Sequence, residues 1–318
     1  MKILDKLPLG LWLTCETMPA PRWLLRLALL FLLISGCGER HAMKEVRLEF
    51  KQQPQETYVY SVSDSVEWEI EEVDKPRYAF QHLQAQESRM LIEAIDSAAV
   101  RSLTMSFVVT EDTMLNAPEY VLKRRRRSSI GWKFGFDLRM RKNGEIVKVV
   151  TDDPKLAFEY DRSYKPSQPV FPDRSIKPGY AWTQNFSVEV PRSNPTVATT
   201  QYQLENFAQV DQFDCAVINF KGELEYEECY QPPADKPSKE FIAKKYRSQV
   251  TSEGRLYFAY REGFMVKKVN LITWKLLTTT FTKDKVEQQS RTTVKDHERI
   301  TLTEIHRPNQ EVFSYRIP

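Results

Sequence analysis

Glycine, histidine and cysteine are all scarce in this sequence: ten, four and four among 318 residues. So few glycines leave little material for a phosphate-cradling loop, and no such loop is present. Also missing are a Gly-x-Ser-x-Gly elbow, a His-Glu-x-x-His helix and any Cys/His set spaced for zinc. His41, His82, His297 and His306 have no sequence neighbours that mark a base or a ligand. No catalytic residue, metal ligand or cofactor is therefore assigned. Charge of one sign is lacking as well: the net value is +3, and it falls to about +1 once residues 1–36 are set aside. A nucleic-acid binder would normally carry a large basic excess.

Long hydrophobic runs are confined to the beginning of the chain. Arg22 and Arg26 precede an unbroken apolar stretch from Leu27 to Ile34, and small residues follow. That is the order of a secretion signal, and the stretch is far shorter than the roughly 18 apolar residues a spanning helix needs. A second apolar stretch, Leu7 to Leu13, and Cys15 lie upstream of Met18, so translation is expected to start at either Met1 or Met18.

The segment Ile34-Ser35-Gly36-Cys37 resembles the lipobox of bacterial lipoproteins. The resemblance implies that residues 1–36 are removed, that the Cys37 thiol is acylated, and that residues 37–44 form a tether from the membrane. Acyl chains contribute about 0.8 kcal/mol per buried methylene, and several hold far better than one. Gly38 stands where the family's inner-membrane retention signal is Asp, which implies an outer-membrane location facing the periplasm in a two-membraned cell. Export in turn removes nucleic acid from the expected partners. The membrane itself, an envelope protein, an anionic lipid or a polysaccharide remain.

What is abundant is strand-forming material, with 12% aromatic residues and many Val, Thr and Tyr. Alternation at Val46, Leu48 and Phe50, and again at Tyr58, Tyr60 and Val62, marks strands from the start of the mature chain. Glu67, Glu69 and Glu71 alternate onto a solvated face. The expected class is mainly β, built of antiparallel sheets. Residues 45–150 form a first β-rich part, 151–178 a proline-rich connection with a short helix near 153–160, and 179–318 a second β-rich part.

The two parts echo each other, each having an aromatic strand, a glycine turn and a Val/Lys strand: Phe134–Met140 with Gly144 and Ile146–Val149, and Leu256–Arg261 with Gly263 and Phe264–Val269. Two similar lobes are expected, as a curved or half-barrel-like sheet, with one continuous sheet as the alternative. At the level of architecture this resembles uncharacterised secreted lipoproteins of bacteria and, more distantly, the half-barrel lipoprotein carriers.

Two features stand out as candidate sites. Cys215 and Cys229 flank Lys221-Gly222-Glu223 symmetrically, which predicts a hairpin with a disulfide across it; the alternative is two separate thiols on one long strand. Lys123, Arg124, Arg125, Arg126 and Arg127 form the one dense charge run, between Tyr120 and Trp132, in an expected hairpin loop. It is either a patch for an anionic ligand or a solvated loop. The function expected is that of a non-enzymatic binding or structural module of the cell envelope. The alternative is a carrier that holds a lipid or other apolar ligand against inward aromatic residues from strands such as 132–140 and 256–274. An envelope hydrolase is the least favoured.

Overall fold

The structure is a computed structural model that describes residues 45–72, 76–124, 129–151, 168–188, 195–232, 241–282, 287–308 and 313–314. The strands are β1 (Thr57–Glu72), β2 (Tyr78–Ile95), β3 (Val100–Leu115), β4 (Lys133–Arg141), β5 (Ile146–Val150), β6 (Ala181–Val188), β7 (Thr196–Val210), β8 (Phe213–Tyr230), β9 (Ala243–Ala259), β10 (Phe264–Phe281), β11 (Glu287–His306) and β12 (Phe313–Ser314). Among the described residues one short helix, α1 (Glu119–Arg124), lies in the β3–β4 connection.

All strands join one open antiparallel sheet in the order β5-β4-β3-β2-β1-β11-β10-β9-β8-β7-β6, with β12 alongside β11. Two meanders thus run outward from a central seam made by the first and last long strands. In that seam Tyr60 lies opposite Leu302, Val62 opposite Ile300 and Asp64 opposite Glu298. The two expected parts are therefore two meanders of one sheet, and residues 44–318 form a single compact unit. Both edge strands are short, five residues in β5 and eight in β6, which limits the unpaired backbone offered at either edge.

The alternation read from the sequence sorts the sheet into two faces. Tyr60, Val62, Leu103, Phe107, Leu138, Tyr202, Ile218, Leu256 and Phe258 point to the inner face and are buried. Ser61, Ser63, Glu67, Arg247 and Lys267 point outward. Register shifts at Val59/Tyr60, Ala85/Gln86, Leu204/Asn206 and Met265/Lys267 mark bulges, which bend strands and increase twist. The sheet curls accordingly, and inner-face residues of β3, β4 and β5 join one core with those of β7, β8 and β9.

One end of this trough is closed by chain outside the strands. Val46, Leu48 and Phe50 are buried, as their alternation predicts, yet they do not belong to a strand. Their segment makes an isolated bridge from Val46 to Ile176 and then crosses the end of the sheet. Phe50 N–H donates to the Lys142 carbonyl at 2.7 Å and Lys51 N–H to the Gly263 carbonyl at 3.0 Å. The Lys51 ammonium adds bonds to the carbonyls of Tyr260 and Arg261, both at 3.1 Å.

The two glycine turns of the sequence echo hold this segment between them. Gly144 and Gly263 both adopt positive φ, which costs a residue with a Cβ about 1–2 kcal/mol. A Cβ on Gly144 would lie 2.3 Å from the Pro169 carbonyl oxygen, and one on Gly263 would lie 2.5 Å from the Lys51 nitrogen. Segment 168–180 completes the closure. Phe171 stacks on Phe50 at 5.6 Å, and the Trp182 indole N–H donates to the Val170 carbonyl at 3.0 Å.

Candidate functional site: the inner face of the trough

Below the closure lies a cavity of about 400 Å³, within the roughly 300–1,000 Å³ usual for ligand sites. Its lining draws on nearly every strand: Tyr60 and Val62 of β1, Met90 of β2, Leu103, Met105 and Phe107 of β3, Leu138 and Met140 of β4, Tyr202 of β7, Leu256 and Phe258 of β9, Met265 and Ile272 of β10, and Ile300 of β11. Four methionines in that set give a wall that adapts to an irregular apolar guest. The inner face of the seam region continues past the cavity towards the other end through Val66, Trp68, Ile70, Trp274 and Leu276, all half-buried. Trp68 stacks flat on Phe80 with ring centroids 5.7 Å apart.

Polar groups cross this apolar floor at its middle. Lys268 and Glu298 form an ion pair at 3.0 Å with both side chains largely covered, and both line the cavity. Asp64 lies across the seam from Glu298, with Asp296 one inner-face position further along β11. Burial, and next the negative charges of Asp296 and Glu298, push the Asp64 carboxyl up to about 7 against the pull of Lys268. Burial, with Glu298 adding, pushes Asp296 up to about 6. This band can hold and release protons near neutral pH.

At the closed end sits Gln52, 1% exposed and part of the cavity lining. Both of its side-chain amide atoms lack a hydrogen-bond partner. Nothing in the sequence around Gln52 distinguishes it, because its burial comes from the crossing segment rather than from a strand pattern. A second depression, of about 820 Å³, lies around Gly254 on the outer face among Asn219, Lys221, Arg255, His297 and Arg299. It is shallow and open, and mixes those polar side chains with Phe220, Tyr257, Val269 and Leu271.

Of the residues singled out in the sequence, Cys37, the leader and the tether lie outside the described residues, as do Arg125, Arg126, Arg127, the side chain of Arg124 and the short helix expected near 153–160. Lys123 lies on α1, exposed and paired with Glu119 at 2.7 Å. The expected hairpin loop there contains α1 instead, which Pro118 and Glu119 initiate in the ordinary way. Tyr120 and Trp132, the aromatic flanks of the run, are exposed.

The disulfide expectation is overturned. β8 continues unbroken through Gly222, whose pairing partners are Thr200 and Ser252, so Cys215 and Cys229 lie on one strand about 45 Å apart at the usual rise per residue. Both are free, Cys215 buried and Cys229 exposed. Burial, with nearby Glu262 and Asp214, pushes the Cys215 thiol up to about 12. Gly222 serves close packing rather than a turn, since a Cβ there would lie 2.5 Å from the Ser252 hydroxyl.

The inward aromatic residues expected from 132–140 and 256–274 are present in part. Phe136 and Phe258 are buried in the core, Trp274 is half-buried on the inner face, and Trp132 stays outside.

Ser129, His82 and Asp112 meet at the β3–β4 end, but the Ser129 hydroxyl bonds Asp112 at 2.5 Å and His82 bonds the other oxygen of the same carboxylate at 2.7 Å. That order ties the connection down and puts the carboxylate, not the histidine, against the serine, so it is not a Ser-His-Asp triad. Among the described residues there is no group of three or more side chains suited to a metal, and no helix is long and apolar enough to cross a membrane.

No family model and no curated protein matches the sequence. Among solved structures, the chain is similar to lipovitellin, in a structure concerned with lipid–protein interactions, at 10% identity and a TM-score of 0.38 over 83% of this chain. It spans 27% of the lipovitellin chain. It is also similar to a Bacteroides fragilis protein with a YmcC-like fold, named as a candidate exported protein, at 8% identity and a TM-score of 0.19, covering 82% of this chain and 99% of that one. At those scores neither likeness carries a function across.

Proposed function

We propose that this chain is an exported, lipid-anchored protein of the bacterial envelope whose curved sheet binds an apolar, acyl-chain-like ligand on its inner face. The observation that carries the reading is the cavity of about 400 Å³ with walls from both meanders. A protein that needed only a stable core would fill such a space, because interiors pack with few voids larger than a water molecule. The inner face also remains apolar and only half covered beyond the cavity, as a site that admits and releases a hydrophobic guest requires. Cys37 supplies the anchor in this reading, holding the trough near a source of acyl chains; the outer membrane is its place where the cell has two.

The test is organic extraction and mass spectrometry of the protein purified without detergent from its own cells, with a Cys37→Ser form to release it from the membrane. Stoichiometric co-extracted lipid or another apolar compound is the expected result. A clean apoprotein that also fails to take up any acyl chain added to it would contradict the reading.

One observation favours a second reading, hydrolysis. Asp64, titrating near neutrality across the seam from the Lys268-paired Glu298, has the contrast of environments that acid–base pairs use. Loss of a measured hydrolytic activity in Asp64→Asn, with ligand uptake intact, would move the reading there.

A further inference from the structure

We propose that the closed end of the cavity is a head-group site for the carboxylate of a single-chain acyl ligand, formed by Gln52 and Arg101. The inference rests on the apolar-ligand reading above and adds the ligand's class and orientation: the carboxylate enters first and the chain lies back along the trough.

Two independent features point to an anionic, hydrogen-bonding guest. The first is Gln52, almost fully buried in the cavity wall with neither amide atom partnered; leaving such groups unsatisfied costs about 1–3 kcal/mol. The second is Arg101 of β3, 7% exposed, whose Nε reaches the Gln52 carbonyl at 3.4 Å and whose Nη1 has no partner. Among the described residues no carboxylate forms an ion pair with this guanidinium: burial lowers its pKa, the negative charge of Glu49 acts against that, and the acids of the same region are bonded elsewhere. Glu56 accepts from the Tyr58 hydroxyl at 2.6 Å, the Gln53 backbone at 2.8 Å and the Arg307 guanidinium at 3.1 Å. Glu49 pairs with Arg47 and Lys142.

A buried cation with no ion pair is costly, and a carboxylate entering from the cavity onto Gln52 Nε2 brings its charge to the place where the Arg101 guanidinium meets the Gln52 backbone. Charge-assisted bonds of this kind are the stronger class. The volume, near the lower end for ligand sites, suits one chain better than two.

The experiment displaces a neutral fluorescent probe, N-phenyl-1-naphthylamine, from the purified full chain with palmitate, hexadecanol and hexadecyl phosphate. Palmitate is expected to bind at least ten-fold more tightly than hexadecanol. Arg101→Met and Gln52→Leu should bring palmitate down to the hexadecanol level, while an unchanged far-ultraviolet circular dichroism spectrum and thermal midpoint show that the fold of each variant is intact. Equal affinity of the wild-type chain for palmitate and hexadecanol would overturn the head-group site and leave the apolar-ligand reading standing. Failure of all three to bind would overturn both. Tighter binding of hexadecyl phosphate than of palmitate would overturn the assignment to a carboxylate.

Discussion

The two ends of the trough are built on opposite terms. At the closed end, Phe50, Phe171 and Phe258 meet with ring centroids 4.7–5.6 Å apart, backbone hydrogen bonds stitch the crossing segment to two glycine turns, and the large side chains are covered. Towards the other end the same inner face carries Trp68, Ile70, Trp274 and Leu276 only half covered, and the exposed apolar side chains Tyr120, Leu122, Ile130 and Trp132 belong to the β3–β4 connection there. One end spends its apolar surface on stability; the other keeps it available. A fold that needed only to be stable would have closed both.

The sharpest way to break that comparison is to cut into the closed end. Phe258→Ala removes a fully buried ring in contact with both crossing segments, and should cost about 3–5 kcal/mol in chemical denaturation. A loss under about 1 kcal/mol would mean the closure is not where the stability lies.

Gly263→Ala combines positive φ with a backbone collision at Lys51 and should cost about 2–3 kcal/mol. Its accompanying sign is faster hydrogen exchange of the Lys51 amide, since that amide bonds the Gly263 carbonyl. At the open end, Trp68→Ala should cost less than about 2 kcal/mol, because only part of its surface is covered, yet weaken acyl-chain uptake several-fold. Equal stability losses for Phe258→Ala and Trp68→Ala would erase the distinction between the ends.

The smallest effect belongs to the acidic band between them. Asp64 and Asp296 titrate higher in the folded chain, near 7 and 6, than in the unfolded chain, near 4. The folded state therefore holds extra protons between about pH 4 and pH 7. The stabilisation they bring is complete below that window and is lost as the pH rises through it. Between pH 5 and pH 8 the stability should fall by about 1–2 kcal/mol after allowance for partial exposure, and Asp64→Asn should flatten the profile in thermal denaturation. A stability that rose over that interval in the wild-type chain and was unchanged by the substitution would contradict the placement of these carboxyls.

Much of this architecture can be read from the residues. Alternation in 58–62 identifies the first long strand and its inner face, and the echo around Gly144 and Gly263 identifies two hairpins that the fold does contain. Gly222 misleads for a physical reason: glycine between two alternating runs fits a tight turn and also fits a strand squeezed by its neighbours, and only the Thr200 and Ser252 side chains beside it decide between them. Phe50 misleads differently. Its alternation with Val46 and Leu48 reports burial correctly, but burial by a crossing segment has the same period as burial in a sheet. Gln52 is invisible to any pattern, since its interest lies in the partners it lacks, and those depend on strands about 50 residues away in sequence.

The central claim is that acyl chains lie against the inner face, and photolabelling tests it most directly. A palmitate carrying a diazirine midway along its chain would be bound, irradiated and mapped by peptide sequencing. Labels should fall on inner-face positions from both meanders, among them Met90, Met105, Tyr202 and Met265, with the outward neighbours in each strand unlabelled. Labels confined to the outer face or to the exposed β3–β4 connection, with the inner face clear, would contradict the account.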